Sequence, residues 1–123
     1  MTRIKPSLKA IHAIVFDFDG VLTDNCAYFN EMGIESVKIS RADGLAFQVI
    51  KHLKIPCYVL STEKNKLVQM RSKKLKIKCY SGIKFKEKKL IQICNKNKFN
   101  LKKIIYIGND INDLKAMKLC GHT

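Results

Sequence analysis

The stretch His12-Ala13-Ile14-Val15-Phe16-Asp17-Phe18-Asp19-Gly20-Val21-Leu22-Thr23-Asp24 decides the reading of this chain. Four β-prone apolar residues run into two aspartates and a glycine, the pattern of a buried strand with a loop at its carboxyl end. Two carboxylates two residues apart, just past the pleat, can serve one site in different roles: one binds a metal and attacks, the other handles a proton. Outward from this strand the same pattern recurs. Pro56-Cys57-Tyr58-Val59-Leu60 predicts a second buried strand ending in Ser61-Thr62-Glu63, and Lys103 to Ile107 predicts another ending in Gly108-Asn109-Asp110. A short strand is expected at Ile77 to Tyr80.

Helical spacing fills the gaps. Ala42 to Leu53 has apolar residues at 45, 46, 49, 50 and 53, with Ser40 or Asp43 available as a cap. Asn65 to Leu75 predicts a helix with Leu67, Val68, Met70 or Arg71, and Leu75 on its inner face. Lys86 to Asn97 predicts one with Leu90, Ile91, Ile93 and Cys94 inward, and Ile111 to Leu119 a last one before a terminating glycine at 121. Ala27 to Asn30 and Ser36 to Ser40, flanking Gly33, suggest a hairpin. Strands alternating with helices predict an α/β fold with a parallel sheet covered on both faces. In such sheets ligands bind at the carboxyl edge of the strands, where the acids recur here.

Composition bounds the alternatives. The 123 residues suit one domain, and 46% hydrophobic with 28% charged residues is a globular balance. Two Pro, 6 Gly and no long apolar run argue against collagen-like, low-complexity and membrane-spanning chains. Lys+Arg of 24 against Asp+Glu of 10 gives a net charge of +14, which favours anionic partners such as phosphorylated metabolites, nucleic acid or acidic lipid. A lysine-rich solvated surface is the better account of that charge than a nucleic-acid-binding module, no RNA-binding motif accompanies it, and no specific nucleic-acid or membrane partner is expected. The five cysteines, at 26, 57, 79, 94 and 120, form no CxxC pair, so zinc-ligand and disulfide-framework patterns are absent and core thiols are expected. Met1 to Ala10 carries Arg3, Lys5 and Lys9 with no apolar segment behind it. A cytoplasmic protein without a signal peptide is expected.

Taken in register, these motifs resemble the haloacid dehalogenase phosphohydrolase superfamily. Asp17-x-Asp19-Gly-Val-Leu-Thr-Asp looks like its first motif, Ser61 its second, Lys86 its third, and Gly108-Asn109-Asp110-Ile111-Asn112-Asp113 its fourth. The match runs from residue 11 to residue 121. The hairpin near 27–40 stands where a cap domain would be inserted, and Arg41-Ala42-Asp43-Gly44 resembles the segment that follows it in the capless 3-deoxy-manno-octulosonate 8-phosphate phosphatases. Leu60 to Asn65 and the fourth motif look more like the branch acting on sialate and other nonulosonate 9-phosphates.

The resemblance implies a three-layer Rossmann-like fold and a Mg²⁺-dependent phosphomonoesterase. Its substrate would be a phosphorylated 3-deoxy-2-keto sugar acid, in lipopolysaccharide or sialic acid biosynthesis. Asp17 would be the nucleophile and Asp19 the acid and base. Lys86 would neutralise charge; Ser61 and Thr62 would bind phosphate. Mg²⁺ would take Asp17, the Asp19 carbonyl, and either Asn109 or Asp110, with Asp113 in support. Arg41 and Arg71 are candidates to grip the substrate carboxylate. The fourth motif departs from the commoner GDD at Asn109, which brings no charge. Family members usually continue with a strand, a helix and a glycine-rich tail, so residues 1–123 read as one domain lacking those parts. Capless relatives assemble through the hairpin, which implies a homo-oligomer, a tetramer. The competing expectation is a non-catalytic or weakly active assembly domain associated with a nonulosonate cytidylyltransferase.

Overall fold

A computed structural model describes residues 7–123; Arg3 and Lys5 lie outside the described residues. Four parallel strands form one sheet in the order β5 (Lys78–Tyr80), β4 (Cys57–Leu60), β1 (Ala13–Phe16), β6 (Ile104–Ile107). The central strand β1 is buried at all four positions, as a strand covered on both faces must be. Period-two alternation divides its side chains. Ala13 and Val15 join Tyr58, Leu60, Tyr106 and the inner residues of α3 (Lys86–Asn97) and α4 (Leu114–Leu119). Ile14 and Phe16 join Val59, with Phe47 of α1 (Ala42–His52) and Val68 of α2 (Lys66–Leu75) on the opposite face. The α/β architecture expected from the sequence is therefore present. Beyond β6, His122 pairs in parallel with Ile105.

The hairpin consists of β2 (Thr23–Phe29) and β3 (Glu35–Ile39), antiparallel and separate from the main sheet. Its register shifts between Thr23 and Ala27, where Asn25 adopts φ 65°, a bulge that an asparagine tolerates better than most residues.

The structure settles the inner face of α1 and corrects two local readings. Helix α1 turns Phe47 inward, edge-on to Phe16 at 5.0 Å between ring centroids, and leaves Leu45, Val49 and Leu53 exposed. The helix carries two apolar stripes, and spacing alone cannot tell which one meets the sheet. In α3 Ile91 faces solvent while Leu90, Ile93 and Cys94 are buried. The last helix opens as a 3₁₀ turn over Ile111–Asp113, because Asp110 and Asp113 cap one another across it. Of the alternatives in α2, Arg71 is half-buried and Met70 exposed.

Candidate active site

Asp17 follows β1, Ser61 follows β4 and Gly108 follows β6, so the three loops converge at the carboxyl edge of the sheet. Lys86, the first residue of α3, enters from above. A lysine at a helix N-terminus opposes the helix dipole, and this one is also 1% exposed. Two carboxylates compensate. Lys86 Nζ donates to Asp17 Oδ1 at 2.8 Å and to Asp113 Oδ1 at 2.7 Å.

The two carboxylates differ in their surroundings. Asp113 is fully buried and accepts from four donors. Oδ1 takes Lys86 and the Tyr106 hydroxyl, each at 2.7 Å; Oδ2 takes the backbone N–H groups of Asn109 and Asp110, each at 3.3 Å. Burial pushes its carboxyl up, but the Lys86 and Tyr106 bonds outweigh that and hold it below the usual carboxylate range. Asp17 has fewer donors. Burial dominates and raises it, despite the pull of Lys86. Asp19 is raised too, by burial and then by the nearby Glu63 charge, with Thr23 hydrogen bonding acting against them. A carboxylate held charged beside two that resist charging is an arrangement suited to divided acid–base roles.

Gly20 turns the chain after the acid pair at φ +82°, a conformation open to glycine. A Cβ there would land on the Asn109 side-chain amide, so the absent side chain is what lets Asn109 lie against the first loop. Gly108 plays the same part for Asp113, whose Cγ would lie 2.7 Å from an added Cβ.

The remaining expected site residues are placed as follows. Ser61 is buried and its Oγ accepts the Glu63 N–H at 3.1 Å, so it caps a turn; the helix cap is Asn65, which accepts from Leu67 N. Thr62 Oγ1 meets Asn112 Nδ2 at 3.4 Å, joining the second and fourth loops across the site. Asp110 spends one oxygen on the Ile111 N–H, whereas Asn109 faces Gly20. Arg71 reaches the Ser40 carbonyl at 3.0 Å, its Nε buried without a partner, and Arg41 is exposed. The structure thus brings Asp17, Lys86 and Asp113 into direct contact and sets Ser61, Thr62 and Asn109 on the loops around them. Sequence reasoning gave Asp113 only a supporting part and Tyr106 no part in the site; the structure places Tyr106 in the core with its hydroxyl on Asp113. One signal was available: a phenol within Ile104-Ile105-Tyr106-Ile107, an otherwise aliphatic buried strand, needs a polar partner. His12 is structural, its Nδ1 accepting the Asn100 N–H at 2.9 Å. The cysteines form no disulfide; burial raises the Cys57 thiol to about 11 and the Cys120 thiol to about 12, while Cys26 is exposed on the hairpin.

A parallel sheet carrying an aspartate pair after its central strand, with a lysine bridging back to it, defines a haloacid dehalogenase-type hydrolase fold. The comparisons agree. A HAD family hydrolase structure from Streptomyces avermitilis superposes with a TM-score of 0.90 at 37% identity, covering 94% of this chain and 67% of that one. The chain belongs to the HAD family. A 3-deoxy-D-manno-octulosonate 8-phosphate phosphatase structure from Moraxella catarrhalis, in complex with magnesium ion, phosphate ion and a KDO molecule, matches with a TM-score of 0.86 at 30% identity over 93% of this chain and 66% of that one. The 3-deoxy-D-manno-octulosonate 8-phosphate phosphatase KdsC of Haemophilus influenzae is 28% identical over 119 residues, 96% of this chain and 66% of the relative. The chain thus spans just under two thirds of the curated relative it matches. No family model matches.

Proposed function

We propose that this chain carries the catalytic centre of a Mg²⁺-dependent phosphomonoesterase for a phosphorylated 3-deoxy-2-keto sugar acid, an octulosonate 8-phosphate or a nonulosonate 9-phosphate. The observation that carries the reading is the buried Asp17–Lys86–Asp113 contact at the strand ends, which would be costly to fold around unless put to use.

The chemistry follows from the placements. A phosphomonoester dianion repels a nucleophile, so cationic groups must come first. Lys86 holds one oxygen of Asp17 and spreads positive charge over the place where phosphate would lie. The free oxygen of Asp17 attacks phosphorus as the bond to the sugar oxygen breaks. Asp19, raised by burial, gives its proton to that leaving oxygen. It then takes a proton from the water that hydrolyses the aspartyl phosphate, which restores Asp17 and releases phosphate. Ser61 and Thr62 supply hydroxyls to the phosphate from the second loop.

The donors suit a hard divalent cation: the Asp17 carboxylate, the Asp19 backbone carbonyl and the Asn109 side-chain oxygen are all oxygen ligands. Among the described residues no three His, Cys, Asp or Glu side chains cluster to hold a metal, so the set depends on a carbonyl and an amide and leaves places for phosphate and water. Asn109 is favoured over Asp110 as the side-chain ligand, since Asp110 is engaged in capping. When bound, Mg²⁺ would supply Lewis-acid neutralisation of the phosphate.

Substrate grip is assigned to Arg71 and Arg41, supported by the buried, unpartnered Nε of Arg71. A homo-oligomer, a tetramer, is supported by apolar residues displayed on the hairpin, Phe29 at 74% and Met32 at 78% exposure. Among the described residues no helix is long and apolar enough to cross a membrane. A cytoplasmic site of action is supported by the unpaired cysteines.

The test is phosphate release from a panel of octulosonate and nonulosonate phosphates, with and without chelator. Release that needs added Mg²⁺ is expected. Turnover at full rate in chelator would remove the metal assignment. No release from any member, by a protein that still assembles, would favour the assembly-domain reading.

A further inference from the structure

We propose that Tyr106 is a positioning residue: its hydroxyl fixes Asp113, and through Asp113 the place of Lys86 relative to Asp17. Tyr106 lies on β6, wholly buried among Leu90, Ile93, Ala116 and Cys120. A phenylalanine would fill that volume. What it would lack is the O–H that donates to Asp113 Oδ1 at 2.7 Å.

The consequence follows from which oxygen is used. Lys86 Nζ bonds the same Oδ1, also at 2.7 Å. The Asp113 carboxylate is thereby clamped on both oxygens, by Tyr106 and Lys86 on one and by the Asn109 and Asp110 N–H groups on the other. The two backbone contacts are long, at 3.3 Å each, so they alone leave the carboxylate free to rotate. The hydroxyl comes from a strand, β6, hydrogen-bonded along its length to the central β1, rather than from a loop, and supplies the rigid point. Lys86 is balanced between Asp113 at 2.7 Å and Asp17 at 2.8 Å. With the clamp removed, Asp113 has one donor fewer and draws more on the ammonium, so Lys86 moves away from Asp17. The nucleophile loses both an orienting bond and a share of positive charge. The effect falls on the reacting arrangement rather than on substrate binding.

The proposal rests on the phosphatase reading where turnover reports it, so two readouts are paired. Tyr106→Phe is compared with wild type and with Ile93→Val, which perturbs the same core cluster without touching the carboxylate. With an active wild type, kcat of Tyr106→Phe is expected to fall about ten-fold, as misplacement of a reacting group demands. KM should stay within about two-fold, and Ile93→Val should retain kcat at a similar loss of melting temperature. Equal kcat in Tyr106→Phe and wild type would overturn the proposal. If wild type releases no phosphate, the phosphatase reading fails and heteronuclear NMR of the Lys86 ammonium decides. A shifted or broadened Lys86 resonance in Tyr106→Phe supports the clamp, and superimposable resonances overturn it. Should Tyr106→Phe not fold, fluorotyrosine incorporated at position 106 keeps the ring and the O–H while strengthening the donor. The Lys86 resonance must then shift, and an unchanged one overturns the proposal.

Discussion

At the carboxyl edge of the sheet a lysine and two carboxylates are hidden from water, whereas along the β2–β3 hairpin tyrosine, phenylalanine, methionine and isoleucine face it. The usual assignment of polar to outside and apolar to inside is inverted at both places, for opposite reasons. Burying Lys86 with Asp17 and Asp113 has a desolvation cost that their mutual attraction offsets only through good geometry. The Lys86 charge finds both its partners within this chain, whereas the Asp17 carboxylate has only one side-chain donor, Lys86. The hairpin is the converse. Tyr28, Phe29, Met32 and Ile34 cover nothing in their own fold, and the exposed stripe Leu45, Val49 and Leu53 on α1 is equally unpartnered. One region buries charge against charge within the chain, and the other leaves apolar side chains exposed.

The comparison can be broken most severely at Asp17, the proposed nucleophile. Asp17→Asn is expected to lower phosphate release by about 10⁴-fold or more, the scale of removing a covalent nucleophile. Its fold should survive, since Lys86 keeps Asp113. Because burial raises the Asp17 carboxyl, the ionised form is a burden on the folded state. A raised group contributes stability fully below its unfolded value, near about 3.9, and loses it as pH rises through the folded value. In chelator, Asp17→Asn should therefore match or exceed the wild-type melting temperature at neutral pH. That advantage should vanish as pH falls toward about 4. A strongly destabilised Asp17→Asn at neutral pH would contradict this account of the site.

Asp113→Ala should do the reverse to the fold. It strands the Tyr106 hydroxyl, two backbone N–H groups and half the charge balance of Lys86. A loss of about 3–5 kcal/mol in urea unfolding is expected. Asp113 is held below the usual carboxylate range, so its contribution is present above the unfolded value and lost as pH falls through the folded one.

Gly20→Ala sharpens the link between the first and fourth loops. The alanine is strained at φ +82° and its Cβ displaces Asn109. About 1–3 kcal/mol of stability should be lost, together with weakened Mg²⁺ binding by titration calorimetry. Unchanged metal affinity would remove Asn109 from the ligand set.

The smallest effect on the fold is expected from the hairpin. Phe29→Ser with Ile34→Ser should change unfolding free energy by no more than about 0.5 kcal/mol, as exposed positions do. Light scattering should nonetheless show the proposed homo-oligomer dissociating. A monomeric wild type, or a double variant that still assembles, would show that the hairpin is not the contact surface.

Several features of the site were legible because they are local. An apolar run ending in Asp17-Phe18-Asp19-Gly20 announces a strand and its loop, whereas Asn65, read as the first residue of α2, proves to be its cap. Lys86 stood out only by its register with the other motifs, since it sits among Lys84, Lys88 and Lys89 and nothing in that run marks it for burial. The spacing in α1 did not name an inner face, because two apolar stripes satisfy it; contact with Phe16 selects Phe47.

The sequence by itself determined the strand–helix alternation, the acid pair at the central strand end and the turn at Gly20, all set by neighbours a few residues apart. Only the tertiary structure decided that Asp113, 96 positions from Asp17 in the chain, would share its lysine, and that Tyr106 would spend its hydroxyl there. The reason is physical. A buried charge is tolerable only where donors from separate elements meet at hydrogen-bond distance, and parallel strands β1 and β6 lying side by side create that meeting point.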